Sequence, residues 1–395
     1  KKSVFKKNIL IFTILLYFLY LFKKEKTTGK NMATSSQPSG TDKARERDAD
    51  ILKRLKEYRQ QNKPGVKMAN GAGFGTVNRL FGPAKGIKKE LLRLHPSGKK
   101  ACSDDLVEKA KKLNLRLEHL GTTIGTVIHG VDLRQNLSSK VVQTLKQALN
   151  ERKVIFFRDQ DLTREQHIAF GRYFGQLEIH PFGAPVENFP EILPIYADEN
   201  AAGSINNWHS DVTWRTEPSL GSILYMRECP DLGGDTLFSD SHAAFDGLPE
   251  NIQMQALGKT AIHDFDGFRR TQLRLGVPKS FIEELRQRYP LAIHPVIRTH
   301  PETGKQGIYV NRAFTKYIDG LHTPQSQILF NRLCDEAKRP EYQCRFQWKK
   351  GSIAFWDNRA VQHYAASDYF PFKRALDRVT VCGDAPFFID HRGKM

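Results

Sequence analysis

Cysteine is scarce in this 395-residue chain. The five that occur, Cys102, Cys229, Cys334, Cys344 and Cys382, are scattered and odd in number. No two form a Cys-x-x-Cys pair, which excludes zinc-knuckle and thioredoxin-like chemistry and any disulfide framework. Reduced thiols in a cytoplasmic setting are the expectation. Long apolar runs are also missing. The longest, Ile9–Phe22, is interrupted only by Thr13. As a helix it spans ~21 Å, short of the ~30 Å hydrocarbon core of a bilayer. Three readings of residues 1–31 stay open: a short membrane anchor, a signal sequence, or a segment foreign to the native protein. Membrane contact is expected only if residues 9–22 are native. No internal repeat is visible. Gly71, Gly73 and Gly75 in NGAGFGTV lack both the spacing and the preceding strand of a phosphate loop.

Acidic residues are sparse only at the start. Residues 1–112 hold 27 Lys/Arg and 10 Asp/Glu, whereas the remainder holds 34 and 33. Of the net charge of +18, +17 therefore belongs to an extension, and the body, at +1, carries no basic field. No nucleic-acid partner is expected. Residues 33–42 (ATSSQPSGTD) read as a linker. Residues 43–61 place Ile51, Leu52, Leu55 and Tyr58 at helical spacing, and residues 62–100 look largely disordered. The organisation expected is residues 1–31 as an apolar and basic segment, 32–112 as a basic flexible extension, and 113–395 as the functional domain.

The body is rich in short β-branched and aromatic runs bounded by turn residues: VIFF, LPIYADE, WHSDVTW, GSILYMRE, DTLFSD, HPVIRTH, QGIYVN, CRFQW, SIAFW and RVTVC. Helices are predicted over 138–153, 163–174 and 324–337, with Ser138 and Thr163 as N-caps. Many strands and few helices point to a mainly β fold with flanking helices, a β-sandwich or jelly roll.

On a strand, His209 and Asp211 in NNWHSDVTW share one face, so an imidazole and a carboxylate can reach one ion. A second such triplet, His300-Pro301-Glu302, falls in the hairpin turn THPETGKQG and is expected to be exposed and too mobile for a metal site. Two histidines and one carboxylate make a facial site for Fe(II) with three positions open. His363, after an aromatic strand, supplies the second imidazole. Arg374 and Arg378 follow it and offer cationic groups for anionic ligands. Alone, His363 reads as a core histidine. The company of His209, Asp211 and the two arginines makes it a ligand candidate.

These residues, with GVDL, VIFFRDQ, LEIHP, GGDTLF, the WDNR–QHYA–SDY run and RVTVCGDAPF, make the chain resemble a known family over roughly residues 114–390. It is similar to the taurine dioxygenase family of Fe(II)/2-oxoglutarate-dependent dioxygenases, which includes alkylsulfate and phenoxyalkanoate dioxygenases. The resemblance implies a double-stranded β-helix (jelly roll). It implies Fe(II) on His209, Asp211 and His363, and 2-oxoglutarate, with O₂ as co-reactant, held by Thr236 and Arg374. It also implies Arg378, His180 and Phe314 facing a small anionic organic substrate, and a homo-oligomer.

Simpler roles remain beside these: Thr236 as a strand threonine, Arg378 paired with Asp377 or Asp384, His180 capping a turn, and Trp208 and Trp356 as packing. Taurine-specific members carry a tyrosine and an asparagine where this chain has Gly183 and Ile205. That implies an anionic substrate with a bulkier or more apolar tail than taurine: an alkyl sulfonate, an alkyl sulfate ester or an aryloxy carboxylate. Two alternatives stay open, a carnitine-precursor hydroxylase and a non-catalytic interaction protein with a basic tail.

Overall fold

In a computed structural model, the structure describes residues 100–180, 186–200, 207–274 and 276–390. The apolar run 9–22, the expected helix in 43–61, the glycine-rich stretch around Gly71, and both Gly183 and Ile205 lie outside the described residues. No helix among the described residues is long and apolar enough to cross a membrane.

The described residues form fifteen strands and eight α-helices. Seven strands make the major sheet: β1 (Arg116–His119), β2 (Thr126–His129), β3 (Val154–Phe157), β4 (Leu193–Ala197), β5 (Gly221–Glu228), β13 (Ile353–Asp357) and β15 (Arg374–Val381). Their order is β1-β2-β3-β13-β5-β15-β4, antiparallel except for the β2–β3 pair. A minor sheet in the order β12-β6-β14 comprises β6 (Thr236–Asp240), β12 (Gln343–Phe346) and β14 (Val361–Ala365). Smaller sheets join β7 (Thr260–His263), β8 (Ala292–Pro295) and β11 (Thr315–Ile318), and β9 (Ile297–Thr299) with β10 (Gln306–Ile308).

The two-residue period of the strands explains the layering. From β3, β5 and β13, the side chains of Ile155, Phe157, Ile223, Tyr225, Ile353 and Phe355 face one way. They pack under helices α1 (Asp104–Lys112), α2 (Ser139–Arg152) and α3 (Arg164–Arg172). Their neighbours Val154, Phe156, Leu224, Met226, Ala354 and Trp356 face the other way, onto Phe238, Phe346 and Val361 of the minor sheet. Phe156 stacks on Phe346 at 4.0 Å. Both faces of VIFF are therefore covered, which is why the run is continuously apolar. This is a jelly roll with helices packed outside, as the sequence led one to expect.

Ser138 and Thr163 do cap α2 and α3, the latter with a reciprocal capping box through Gln166. The third predicted helix is α8 (Thr323–Glu336). The expectation of few helices was too low. Helices α4 (Ser241–Asp246), α5 (Glu250–Ala256), α6 (Asp266–Arg274) and α7 (Lys279–Arg288) follow β6. Helices α6 and α7 are highly charged, and all three bury only one or two side chains each, such as Ala256 in α5 and Ile282 and Leu285 in α7, so few apolar residues mark them in the sequence. Helix α1 lies inside the stretch read from composition as extension. Its Leu106 and Ala110 are two apolar anchors in a charged segment, and both are buried in the helix-covered core.

The hairpin turn between β9 and β10 also differs from expectation. His300 is 1% exposed rather than solvent-facing, and its Nε2 lies 2.9 Å from the buried Asp357 Oδ2.

Gly221 opens β5 where it crosses Trp356. A Cβ there would strike the Trp356 carbonyl oxygen and lie 2.9 Å from the Phe355 ring. Overpacking of this kind costs about 1–3 kcal/mol. Gly221→Ala is expected to lower Tm by roughly 3–10 °C, and an unchanged thermal melt would show that the sheet yields at this crossing.

Candidate active site

WHSDVTW is not a strand. Only His209 pairs, in a single antiparallel bridge to His363 on β14, with backbone N–H···O distances of 3.1 Å and 2.8 Å. The bridge brings the two rings to 4.2 Å between centroids. After Ser210, whose Oγ donates to the Val361 carbonyl at 2.7 Å, the chain turns sharply. Val212 takes a left-handed φ of 47°. The turn, not strand alternation, brings Asp211 back to the histidines. Its Oδ1 lies 3.6 Å from His209 Nε2 and 3.8 Å from His363 Nε2.

The three ligand atoms lie within 4.8 Å of one another, the one such cluster among the described residues. On an octahedral face, bonds of ~2.1 Å separate neighbouring ligand atoms by ~3 Å. The two carboxylate–imidazole pairs would need to close by roughly 0.6–0.8 Å around an ion. Protonation of the set also suits one. His209 Nδ1 lies 2.8 Å from the Asn207 carbonyl, which places the proton there and leaves Nε2 with a lone pair. Burial pushes the His363 imidazole down to about 3, aided by the neighbouring His209, and keeps it neutral. Burial opposes ionisation of Asp211, but the Arg378 guanidinium beside it outweighs that and holds the carboxyl well below its usual range. Ser222 Oγ steadies Asp211 Oδ2 at 2.9 Å.

A cavity of about 230 Å³ joins this cluster to Thr236, Arg374 and Arg378, with Ile195, Leu224 and Leu376 among its walls. Arg374, Leu376 and Arg378 alternate along β15 and all reach the cavity. Between them Asp377 points away, to Arg164 and Arg227 at 3.1 Å and 2.8 Å. Asp384 pairs with Arg298 at 2.8 Å. Neither holds Arg378, whose closest carboxylate oxygen is Asp211 Oδ2 at 3.5 Å.

Arg374 is 6% exposed and has no carboxylate in ion-pair contact among the described residues. Burial works against its charge, and the rings of Trp348 and Tyr369 lie 6.0 Å and 5.5 Å away. A buried guanidinium left without an anion calls for one from a ligand. Thr236 Oγ1 accepts from Trp348 Nε1 at 2.9 Å, which leaves its own O–H free to donate.

Of the remaining candidates, His180 is half-buried, and burial with Arg378 and Arg215 nearby pushes it down to about 4. Phe314 does not line the cavity. Its ring meets His209 edge-on at 6.2 Å and packs with Val212 and Trp214. Trp356 both packs in the core and borders the cavity, 4.7 Å from the His363 ring. Trp208 packs against Tyr364 at 5.6 Å. Sequence reasoning missed Ser222, Trp348 and Tyr369. Each sits in an ordinary strand or loop context, where nothing in the local pattern sets it apart.

Residues 116–380 match the family described as taurine catabolism dioxygenase TauD, TfdA family. The chain is 33% identical to the alpha-ketoglutarate-dependent sulfate ester dioxygenase of Pseudomonas putida, over 70% of this chain and 93% of that one. It is 30% identical to the alpha-ketoglutarate-dependent sulfonate dioxygenase of Saccharomyces cerevisiae, over 71% and 70%. Among solved structures, a taurine dioxygenase from Burkholderia xenovorans superposes with a TM-score of 0.61 at 35% identity, covering 70% of this chain and 92% of that one.

Proposed function

The chain belongs to the taurine catabolism dioxygenase TauD, TfdA family, a family of 2-oxoglutarate-dependent dioxygenases, and we propose that it hydroxylates a small anionic substrate next to its heteroatom. In this reading His209, Asp211 and His363 hold Fe(II), and Thr236 and Arg374 hold the far carboxylate of 2-oxoglutarate. The observation that carries the reading is the cavity that connects a pre-assembled His/Asp/His face to a buried guanidinium with no ion-paired carboxylate among the described residues.

Bound iron supplies the activation of O₂, coupled to oxidative decarboxylation of 2-oxoglutarate to succinate. The chain's own residues orient and exclude. Arg374 meets the cosubstrate carboxylate with a two-pronged fork, and Thr236 adds one donor. Ile195, Leu224 and Leu376 keep water out of the space between. Arg378 offers its guanidinium to the substrate's anionic head beside the metal face, which places the adjoining C–H bond near the site of oxygen transfer. A carbon hydroxylated beside a sulfonate or an ether-type oxygen then breaks down. An aldehyde forms, and sulfite, sulfate or a phenol leaves.

Sulfonates, sulfate esters and aryloxy carboxylates are the candidate substrates. A carnitine-type cation is disfavoured by two guanidiniums in one cavity. A purely structural role is disfavoured by the cost of keeping Arg374 buried with no ion-paired carboxylate among the described residues. With Gly183 and Ile205 in place of polar residues, taurine loses contacts to its amino group. One lost polar contact of about 1.4 kcal/mol is tenfold. The full chain with Fe(II), 2-oxoglutarate and O₂ is expected to turn over a simple alkyl sulfonate with kcat/KM at least ~10-fold above taurine. Succinate release across a panel of the three classes reads this directly. Equal turnover of taurine would sink the substrate assignment, and no stimulation by any member would sink the reading itself.

A further inference from the structure

We propose that Asn358, in the WDNR segment, is a positioning residue for the metal site. Its carboxamide clamps both backbone groups of Asp211 and so holds Val212 in the left-handed conformation that aims the Asp211 carboxylate at the two imidazoles. The inference rests on the metal reading above.

Asn358 is fully buried and lies outside the cavity. Its Oδ1 accepts from the Asp211 N–H at 2.6 Å, and its Nδ2 donates to the Asp211 carbonyl at 2.9 Å. One side chain thus does for Asp211 what a neighbouring strand would do. The same Nδ2 reaches the Ser219 carbonyl at 3.3 Å, and the Asn358 N–H donates to the Leu220 carbonyl at 2.8 Å. The amide therefore ties the turn after β13 to both ends of the segment that leads from Asp211 into β5.

The turn that carries Asn358 is itself anchored. Asp357 accepts from the Arg359 backbone N–H and Nε at 2.9 Å and 2.8 Å, from Arg359 Nη2 at 2.7 Å, and pairs with His300 at 2.9 Å. Arg359 reaches on to Glu302 at 2.8 Å. This gives the buried His300 its place: it braces the clamp rather than a metal.

Val212 is the residue that needs restraint. A β-branched side chain at φ 47° is a backbone outlier, and such conformations persist only where the surroundings over-determine them. The far side of the turn is fixed too. His294 Nε2 lies 2.9 Å from the Thr213 carbonyl and 2.8 Å from that of Arg215, and Asn311 donates to Thr213 Oγ1 at 3.0 Å. The strain is thus enclosed between two fixed ends, and Asn358 is the end that touches the ligand residue.

The test is Co(II) affinity, read by its visible absorption in the full chain without cosubstrate, together with the thermal melt of the metal-free chain. Loss of a residue that orients a ligand typically weakens metal binding about 10–100-fold. That is the expectation for Asn358→Ala. Val212→Gly alone should leave the affinity within about threefold of the unsubstituted chain, because glycine adopts the same backbone at no steric cost. Combined with Asn358→Ala it should regain most of the lost affinity, since the turn then keeps its shape without the clamp. A generally destabilised fold would not recover metal binding by adding a glycine. Asn358→Asp keeps the acceptor and loses the donor. It is read in the same way if the alanine variant yields no folded protein.

Unchanged Co(II) affinity in the Asn358 variant overturns the proposal, as does a loss that Val212→Gly leaves untouched. Absence of Co(II) binding by the unsubstituted chain would instead overturn the metal reading and this inference with it.

Discussion

His363→Ala should eliminate substrate-dependent succinate formation, with loss of metal binding as its cause. A complete metal site in a folded protein is worth roughly 10–16 kcal/mol. Spread over three or four ligands, the loss of one costs on the order of 4 kcal/mol, or ~10³-fold in affinity. The substitution also opens a gap beside Trp356 and Phe238, whose rings flank His363 at 4.7 Å and 6.3 Å. Stability of the metal-free chain is therefore a needed control. His363→Gln fills the gap without restoring an imidazole and should be equally inactive. Co(II) titration of both variants beside succinate assays separates the causes. Retained affinity in either variant would remove His363 from the ligand set.

Arg374→Ala should raise the KM for 2-oxoglutarate by about 10²–10³, with a smaller change in the KM for the organic substrate. Removing one partner of a buried, hydrogen-bonded charge pair costs about 2–5 kcal/mol. On the proposed assignment the partner left behind would be the cosubstrate carboxylate, in a cavity walled by Ile195, Leu224 and Leu376. Arg374→Lys keeps the charge and loses the fork, and it should fall between the two. The metal-free lysine variant should melt no lower than the parent, because Arg374 has no ion-paired carboxylate among the described residues to lose and lysine keeps most of its packing. Steady-state kinetics in each cosubstrate settle the assignment. A rise confined to the organic substrate's KM would move Arg374 to the other half of the site.

Much of this site was legible in the sequence because its parts are distinctive in kind. A histidine two positions before an aspartate, a later histidine, and an arginine eleven positions beyond it form a pattern that few other chemistries need. The layering of β3, β5 and β13 was legible too, since runs such as VIFF announce strands covered on both faces. What escaped notice depended on backbone shape and on distant partners. His209 and Asp211 converge through a left-handed turn at Val212, and no local rule places a valine there. His300 looked like a surface turn residue because its partner, Asp357, lies more than fifty positions away and enters only through tertiary packing. Helices α5 to α7 escaped because each rests one or two residues on the body and leaves the rest to solvent.

The order of strands in the major sheet bears on when the proposed metal site could form during synthesis. Strand β13, made late, lies between β3 and β5, made early, so the centre of the sheet is vacant until the ribosome has passed residue 357. His209 and Asp211 emerge first, and at ~5–20 residues per second they wait roughly 8–30 s for His363. On the proposed assignment a nascent chain would present at most a two-ligand site through that interval. If these three residues hold the ion as proposed, its capture would be deferred to the moment the domain closes, and metal loading would report that synthesis and folding are both complete.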